Sequence, residues 1–120
     1  MAHYVDGYVL PVPKNKLAAY TRMAKKAGKI WIEHGALEYR ECVGDDFSSK
    51  FCPPISMAVK IKPGETVVFA YVVFKSRAHR DKVNALAMKD PRTSEMCDPD
   101  DIPFDPKRML YGGFKTIVKA

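Results

Sequence analysis

The chain has 120 residues, 47% hydrophobic and 28% charged, proportions that place it with single globular domains and exclude a disordered or low-complexity chain. Twenty Lys and Arg against fourteen Asp and Glu give a net charge of +6, but the basic residues are dispersed and no Lys/Arg-rich block of a nucleic-acid tail is present. No apolar run approaches the ~20 residues that span a bilayer, and the N-terminus reads as a strand rather than a signal peptide, so a cytoplasmic protein with no membrane association is expected.

In chain order, residues 3–12 alternate as a strand, with Tyr4, Asp6, Tyr8 and Leu10 on one face and Val5, Gly7 and Val9 on the other. Pro11 and Pro13 are expected to end it. Residues 14–34 predict a helix whose inner stripe is Leu17, Tyr20, Ala24, Ala27, Trp31 and His34, with Gly35 as its stop. A second strand follows over residues 37–43 and turns at Gly44. The connection 47–64 carries three prolines and is expected to be irregular, with a short extended piece at 57–61. Residues 65–74 are the clearest strand, almost all β-formers. Ser76 is placed to cap a helix over residues 77–89, with His79, Val83, Leu86 and Ala87 as its inner stripe, ended by Asp90-Pro91. A helical turn at 93–96, a proline- and aspartate-rich loop at 98–106 and a last strand over 108–118 complete the chain. Gly112-Gly113 mark a bulge or a close approach in that strand.

The order β-α-β-β-α-β, with two right-handed crossovers in one sheet, predicts a single α+β domain over residues 1–120, a ferredoxin-like βαββαβ sandwich. Two helices cover one face of such a sheet. The strand 65–74 is apolar on both faces, through Val67, Phe69, Tyr71 and Val73 on one side and Val68, Ala70, Val72 and Phe74 on the other. A strand with two apolar faces needs two covers. The second cover is expected to be another copy of the chain, a homodimer burying at least the ~1,600 Å² of a standard interface.

Four stretches, YVDGYVLPVP (4–13), WIEHGALEYRECVGDD (31–46), ETVVFAYVVFKSRAHRDKVNA (65–85) and PFDPKRMLYGGF (103–114), resemble the YbaA-like proteins, a bacterial family of unknown function. The chain departs from that pattern at SSKFCPPISM (48–57). The resemblance implies the dimeric α+β barrel fold and a homodimer; it implies no activity. Related barrels include cofactor-free oxygenases, lyases, isomerases and ligand-binding modules that use the cleft between helices and sheet, so fold places a site without naming its chemistry.

Several polar residues stand out against this frame. Asp6 lies on a strand face among tyrosines, where an unpaired buried carboxylate would cost several kcal/mol; Arg108, Arg40 and Lys115 are its expected partners. His34 extends the inner stripe to the end of the first helix, where a capping role and a proton shuttle are both open. Arg77, His79, Arg80 and Asn84 gather at the start of the second helix. The helix dipole disfavours arginines there, so an acid such as Asp81 or Asp105, or a bound anion, is expected to offset them. The loop carrying Asp105 before Arg108 is either a lid on the cleft or a rigid connector. The site expected from these residues is ligand-binding Arg77, Arg80, Asn84, Asp105 and Arg108, with His34, Asp6 and His79 as catalytic candidates.

Other classes have less support. The three cysteines form no CxxC, and the three histidines no HExxH, so no metal is expected. No P-loop, GxGxxG or Gly-x-Ser-x-Gly occurs, and no cofactor is expected. RNA recognition by the sheet is disfavoured, because ETVVFAYVVF lacks the basic and glycine positions of that signature. The expectation is a dimer binding a small anionic metabolite in its cleft. A cofactor-independent acid–base enzyme or a monooxygenase-like enzyme is the alternative.

Overall fold

A computed structural model describes residues 2–120. Four strands form one antiparallel sheet in the order β2-β3-β1-β4: β1 is Tyr4–Pro13, β2 Glu38–Val43, β3 Glu65–Phe74 and β4 Leu110–Lys115. The long helices α1 (Leu17–Glu33) and α3 (Arg77–Lys89) are the crossovers. Single turns, α2 (Ser56–Val59) and α4 (Pro91–Ser94), lie in the connections. β1 and β3 are the two central strands, which is why they carry the most apolar sequences in the chain. This is the ferredoxin-like α+β arrangement.

Local chemistry sets the ends of these elements. Helix α1 closes in a Schellman motif: Ala36 N–H donates to the Trp31 carbonyl, Gly35 N–H donates to Ile32, and Gly35 has φ +118°. The Ser76 hydroxyl caps α3 by accepting from His79 N–H at 3.1 Å.

Three expectations are corrected and one pair of alternatives is decided. β1 runs through Pro11 to Pro13, paired with β3 along its whole length. Its pairing with β4 stops at Val9, so both prolines sit where β1 is an edge and the missing N–H is tolerated. Residues 57–61 are not extended: the α2 turn occupies Ser56–Val59, and Lys60 leaves it in the left-handed conformation at φ 49°. The helical turn expected at 93–96 starts earlier, at Pro91, because Asp90 caps it. Gly112 and Gly113 make no bulge. The register is unbroken, and both glycines permit close approach instead. The Phe114 ring lies over Gly112 and Gly7 on one face, and the Tyr4 ring crosses Gly113 on the other.

The helices pack on the face that holds Asp6, Tyr8, Leu10, Val68, Ala70 and Val72. Two buried clusters form there. One gathers Leu10, Val12, Tyr20, Ala24 and Val68, and the other Ala36, Val72, Phe74 and Val83. The opposite face presents Phe69, Leu110 and Phe114 at 43%, 47% and 61% exposure. Neither long helix covers it; α2 packs on β1 at one end, where Pro11 and Val67 are buried.

Candidate functional site

Between the two buried clusters the helix layer and the sheet do not close. The strand register explains why. Tyr8 pairs with Ala70, and Ala70 with Glu41, so these three side chains form one row across the helix-facing side of the sheet. Adjacent strands are ~4.8 Å apart, which sets the Tyr8 and Glu41 backbones about 10 Å apart with only a methyl group between. Above the row, α1 contributes Ala24 and Ala27. Small residues below and above leave a cavity of about 230 Å³. Its walls are chiefly apolar and aromatic, with Trp31, Tyr39, Phe104 and Met96 among them.

Glu41 is the charged group of this cavity. Its Oε1 accepts a short hydrogen bond from the Tyr20 hydroxyl, and its Oε2 accepts from the Tyr39 hydroxyl at 2.6 Å. No cation pairs with it among the described residues. Burial, the hydrogen bond and the adjacent negative charge push both phenols far above their ordinary pKa, so they stay neutral donors. Tyr8 completes the row. Burial and the charge of Asp6 push its phenol up as well, and its hydroxyl has no partner among the described residues. Its ring packs against Tyr111 with centroids 4.9 Å apart.

A second polar group stands beside the cavity. Asp6 is completely buried. Its Oδ1 accepts from Arg80 Nη1 at 2.9 Å and its Oδ2 from Asn84 Nδ2 at 3.2 Å. Arg80 also donates to the Tyr111 hydroxyl at 2.7 Å and to Asp81 at 2.8 Å, and its guanidinium lies over the Tyr4 ring at 4.8 Å. Asn84 Oδ1 accepts from Trp31 Nε1 at 2.9 Å, which links the network to the cavity wall. Arg80 and Asn84 are one helical turn apart on α3 and reach down together onto β1. The expected partners of Asp6 are therefore replaced. Arg108 instead makes a two-pronged pair with Glu65 at 2.6 and 3.0 Å at the far end of the sheet. Arg40 pairs with Glu38 on the other face.

The remaining expected site residues are dispersed. Asp105 accepts from Lys107 N–H in its own turn and pairs with no arginine among the described residues; Phe104 beside it lines the cavity. Arg77 is exposed and has no ion-pair partner among the described residues. His34 bonds Asp90 at 2.8 Å. His79 accepts from Lys75 N–H at 2.9 Å, and burial with the nearby lysines lowers its pKa. The five residues expected to hold a ligand do not converge, because Arg80 and Asn84 are engaged by Asp6 and Arg108 by Glu65. None of the three catalytic candidates lines the cavity. The inner stripe of α3 is Arg80, Val83, Asn84 and Ala87, whereas Leu86 faces solvent.

The residues that sequence reasoning missed are Glu41, Tyr39 and Tyr8. The available signal was the inward phase of β2: Tyr39 and Glu41 alternate with the outward Glu38 and Arg40, directly under the Tyr20–Ala24–Ala27 stripe.

Comparisons with known proteins agree with this architecture. The model of a family described as a protein of unknown function, DUF1428, matches residues 3–106. The uncharacterised protein YbaA of Escherichia coli K12 is 43% identical over 115 residues, covering 96% of this chain and 97% of its own. YbaA of Shigella flexneri matches to the same extent. Among solved structures, a dimeric ferredoxin-like protein from an uncultured marine organism superposes with a TM-score of 0.61 at 9% identity, covering 100% of both chains. That likeness establishes the fold.

Proposed function

We propose a function from the premise that the chain belongs to the DUF1428 family and has a ferredoxin-like fold: it is a small-molecule-binding protein that works as a homodimer, with its ligand between α1 and the sheet. The observation that carries this reading is Glu41. Half-buried on the edge strand β2, its carboxylate faces an apolar cavity with no cation beside it among the described residues. Two tyrosine donors hold it in place, which is the arrangement of a prepared polar contact in an otherwise apolar pocket.

Support for the dimer comes from the uncovered sheet face. Val5, Val9, Phe69, Val73, Leu110 and Phe114 share that side of the sheet in register. Exposed apolar surface of this extent marks an interaction site. A second copy is the fitting occupant, because the face carries both signs of charge at its β2 margin, Glu38 and Arg40, and because the marine protein of the same fold is itself dimeric.

The expected anionic ligand has less support than a neutral one. Arg80 and Arg108 are neutralised by Asp6, Asp81 and Glu65, and the charge lining the cavity is negative.

Two measurements test the reading. Sedimentation equilibrium at micromolar protomer should return the dimer mass. Trp31 is the chain's single tryptophan and lines the cavity, so its indole N–H gives one resonance in a ¹⁵N correlation spectrum. Titrated naphthalene should shift it saturably, with one site per protomer. A monomer, or an unmoved Trp31 resonance, overturns the corresponding half.

A further inference from the structure

We infer that the cavity is built for a neutral one- or two-ring aromatic molecule bearing a hydroxyl, which donates to Glu41 and accepts from Tyr8. This rests on the reading of the cavity as a ligand site and specifies its ligand.

Size comes from the volume. A cavity of 150 Å³ lined by aliphatic and aromatic side chains takes benzene. One of about 230 Å³ has room for a second fused ring. Shape and polarity come from the walls. Trp31, Tyr20, Tyr39 and Phe104 present ring surfaces, and Met23 and Met96 present polarisable sulfur, the groups that pack against a flat π-system.

The polar end comes from hydrogen-bond capacity. An ionised carboxylate has about four acceptor positions; Glu41 spends two on Tyr20 and Tyr39. Glu41 is half-buried on the edge strand, so water can meet the rest in the empty cavity, and once a ligand displaces that water a ligand donor must. Across Ala70 in the same row, the Tyr8 hydroxyl is a donor without a protein partner among the described residues. A single ligand hydroxyl placed over Ala70 meets both needs: its proton goes to Glu41 and its lone pair accepts from Tyr8. A carboxylate ligand would bring a second negative charge to Glu41, and a plain hydrocarbon would leave both groups unmet.

The test is a titration with three probes of one shape, naphthalene, 2-naphthol and 2-naphthoate, followed by the Trp31 indole resonance. The expected order is 2-naphthol at least tenfold tighter than naphthalene and at least tenfold tighter than 2-naphthoate. In Glu41→Gln the advantage of 2-naphthol over naphthalene falls to about twofold while naphthalene still binds. Tyr8→Phe, which keeps the ring packed on Tyr111, reduces the advantage in the same direction and guards against misfolding of the first variant. Equal binding of naphthalene and 2-naphthol, or tightest binding of 2-naphthoate, refutes the ligand class and leaves the cavity as a binding site. Binding of none of the three refutes the cavity reading, and the ligand class with it.

Discussion

Replacing Arg80 with methionine should be among the most damaging single changes available to this fold. Asp6 has no exposure to solvent, and the Arg80 side chain only 13%. The substitution keeps length and apolar bulk but removes the 2.9 Å bond to Asp6, the 2.7 Å bond to Tyr111 and the cation over Tyr4. What remains for Asp6 is mainly the longer bond from Asn84. Breaking a buried pair by removing one partner costs about 3–5 kcal/mol, because the surviving charge has neither water nor a counter-ion. In a chain of this size that lowers Tm by roughly 10–20 °C, read by circular dichroism at fixed protomer concentration, since dimer stability varies with it. The partner change, Asp6→Asn, leaves the guanidinium at the surface side of the pair with Asp81 still beside it, and should cost less. The double variant removes both charges and should recover part of the loss, with a coupling of about 2 kcal/mol or more in the cycle. Additive single effects, or a cost below about 1 kcal/mol for Arg80→Met, would refute the claim that this pair is what permits a carboxylate inside the sheet–helix layer.

Two further outcomes follow from the geometry. Phe114→Asp places a charge on the uncovered face and removes the ring that lies over Gly7 and Gly112; it should raise the dimer dissociation constant at least a hundredfold, about 2.7 kcal/mol, with the far-ultraviolet spectrum unchanged. An unaltered dimer by sedimentation would place the interface elsewhere. Arg92 and His34 hold the Asp90 carboxyl well below the usual carboxylate range. A depressed folded pKa gives stability that is full above the unfolded value of about 3.9 and is lost as pH falls through the folded value. Asp90→Asn should therefore be less stable than the parent at pH 7, and the gap should close progressively below about pH 4. A gap that does not change with pH would contradict the assignment.

Much of this architecture was readable in the chain, and the reasons are local. The two apolar faces of β3 announce a central strand and a missing cover. Gly35 and Ser76 mark helix ends because a left-handed residue and a hydroxyl cap have few substitutes. Asp6 could be seen to need a partner, but not which one. That depends on the turn of α3 that the crossover lays over β1, a fact of three-dimensional packing that no spacing along the chain encodes. Arg80 and Asn84 are visible as a cluster whose charge calls for an acid or a bound anion; Asp81 does meet Arg80, while the inward partner, Asp6, comes only with the packing. The cavity was the least legible feature. It arises from three small residues, Ala24, Ala27 and Ala70, that coincide only when helix and sheet meet, and its acid sits on an edge strand where a glutamate reads as a solvated residue. The 57–61 segment carries no local signal for the α2 turn: the prolines of the connection, Pro53, Pro54 and Pro63, lie outside it, and the left-handed Lys60 that ends the turn leaves no mark in composition.

The measurement that tests the account most directly is the naphthalene titration repeated on Ala70→Leu. Ala70 is 5% exposed, and a leucine there extends into the space between Tyr8 and Glu41 without touching the outer face of the sheet. The account predicts a dimer that melts within a few degrees of the parent, consistent with an added side chain filling a void rather than straining a packed core. In that dimer the Trp31 resonance should no longer respond to naphthalene. A variant that folds and dimerises as the parent does, yet still binds naphthalene with a Trp31 shift of the same size, would show that the ligand site is not this cavity.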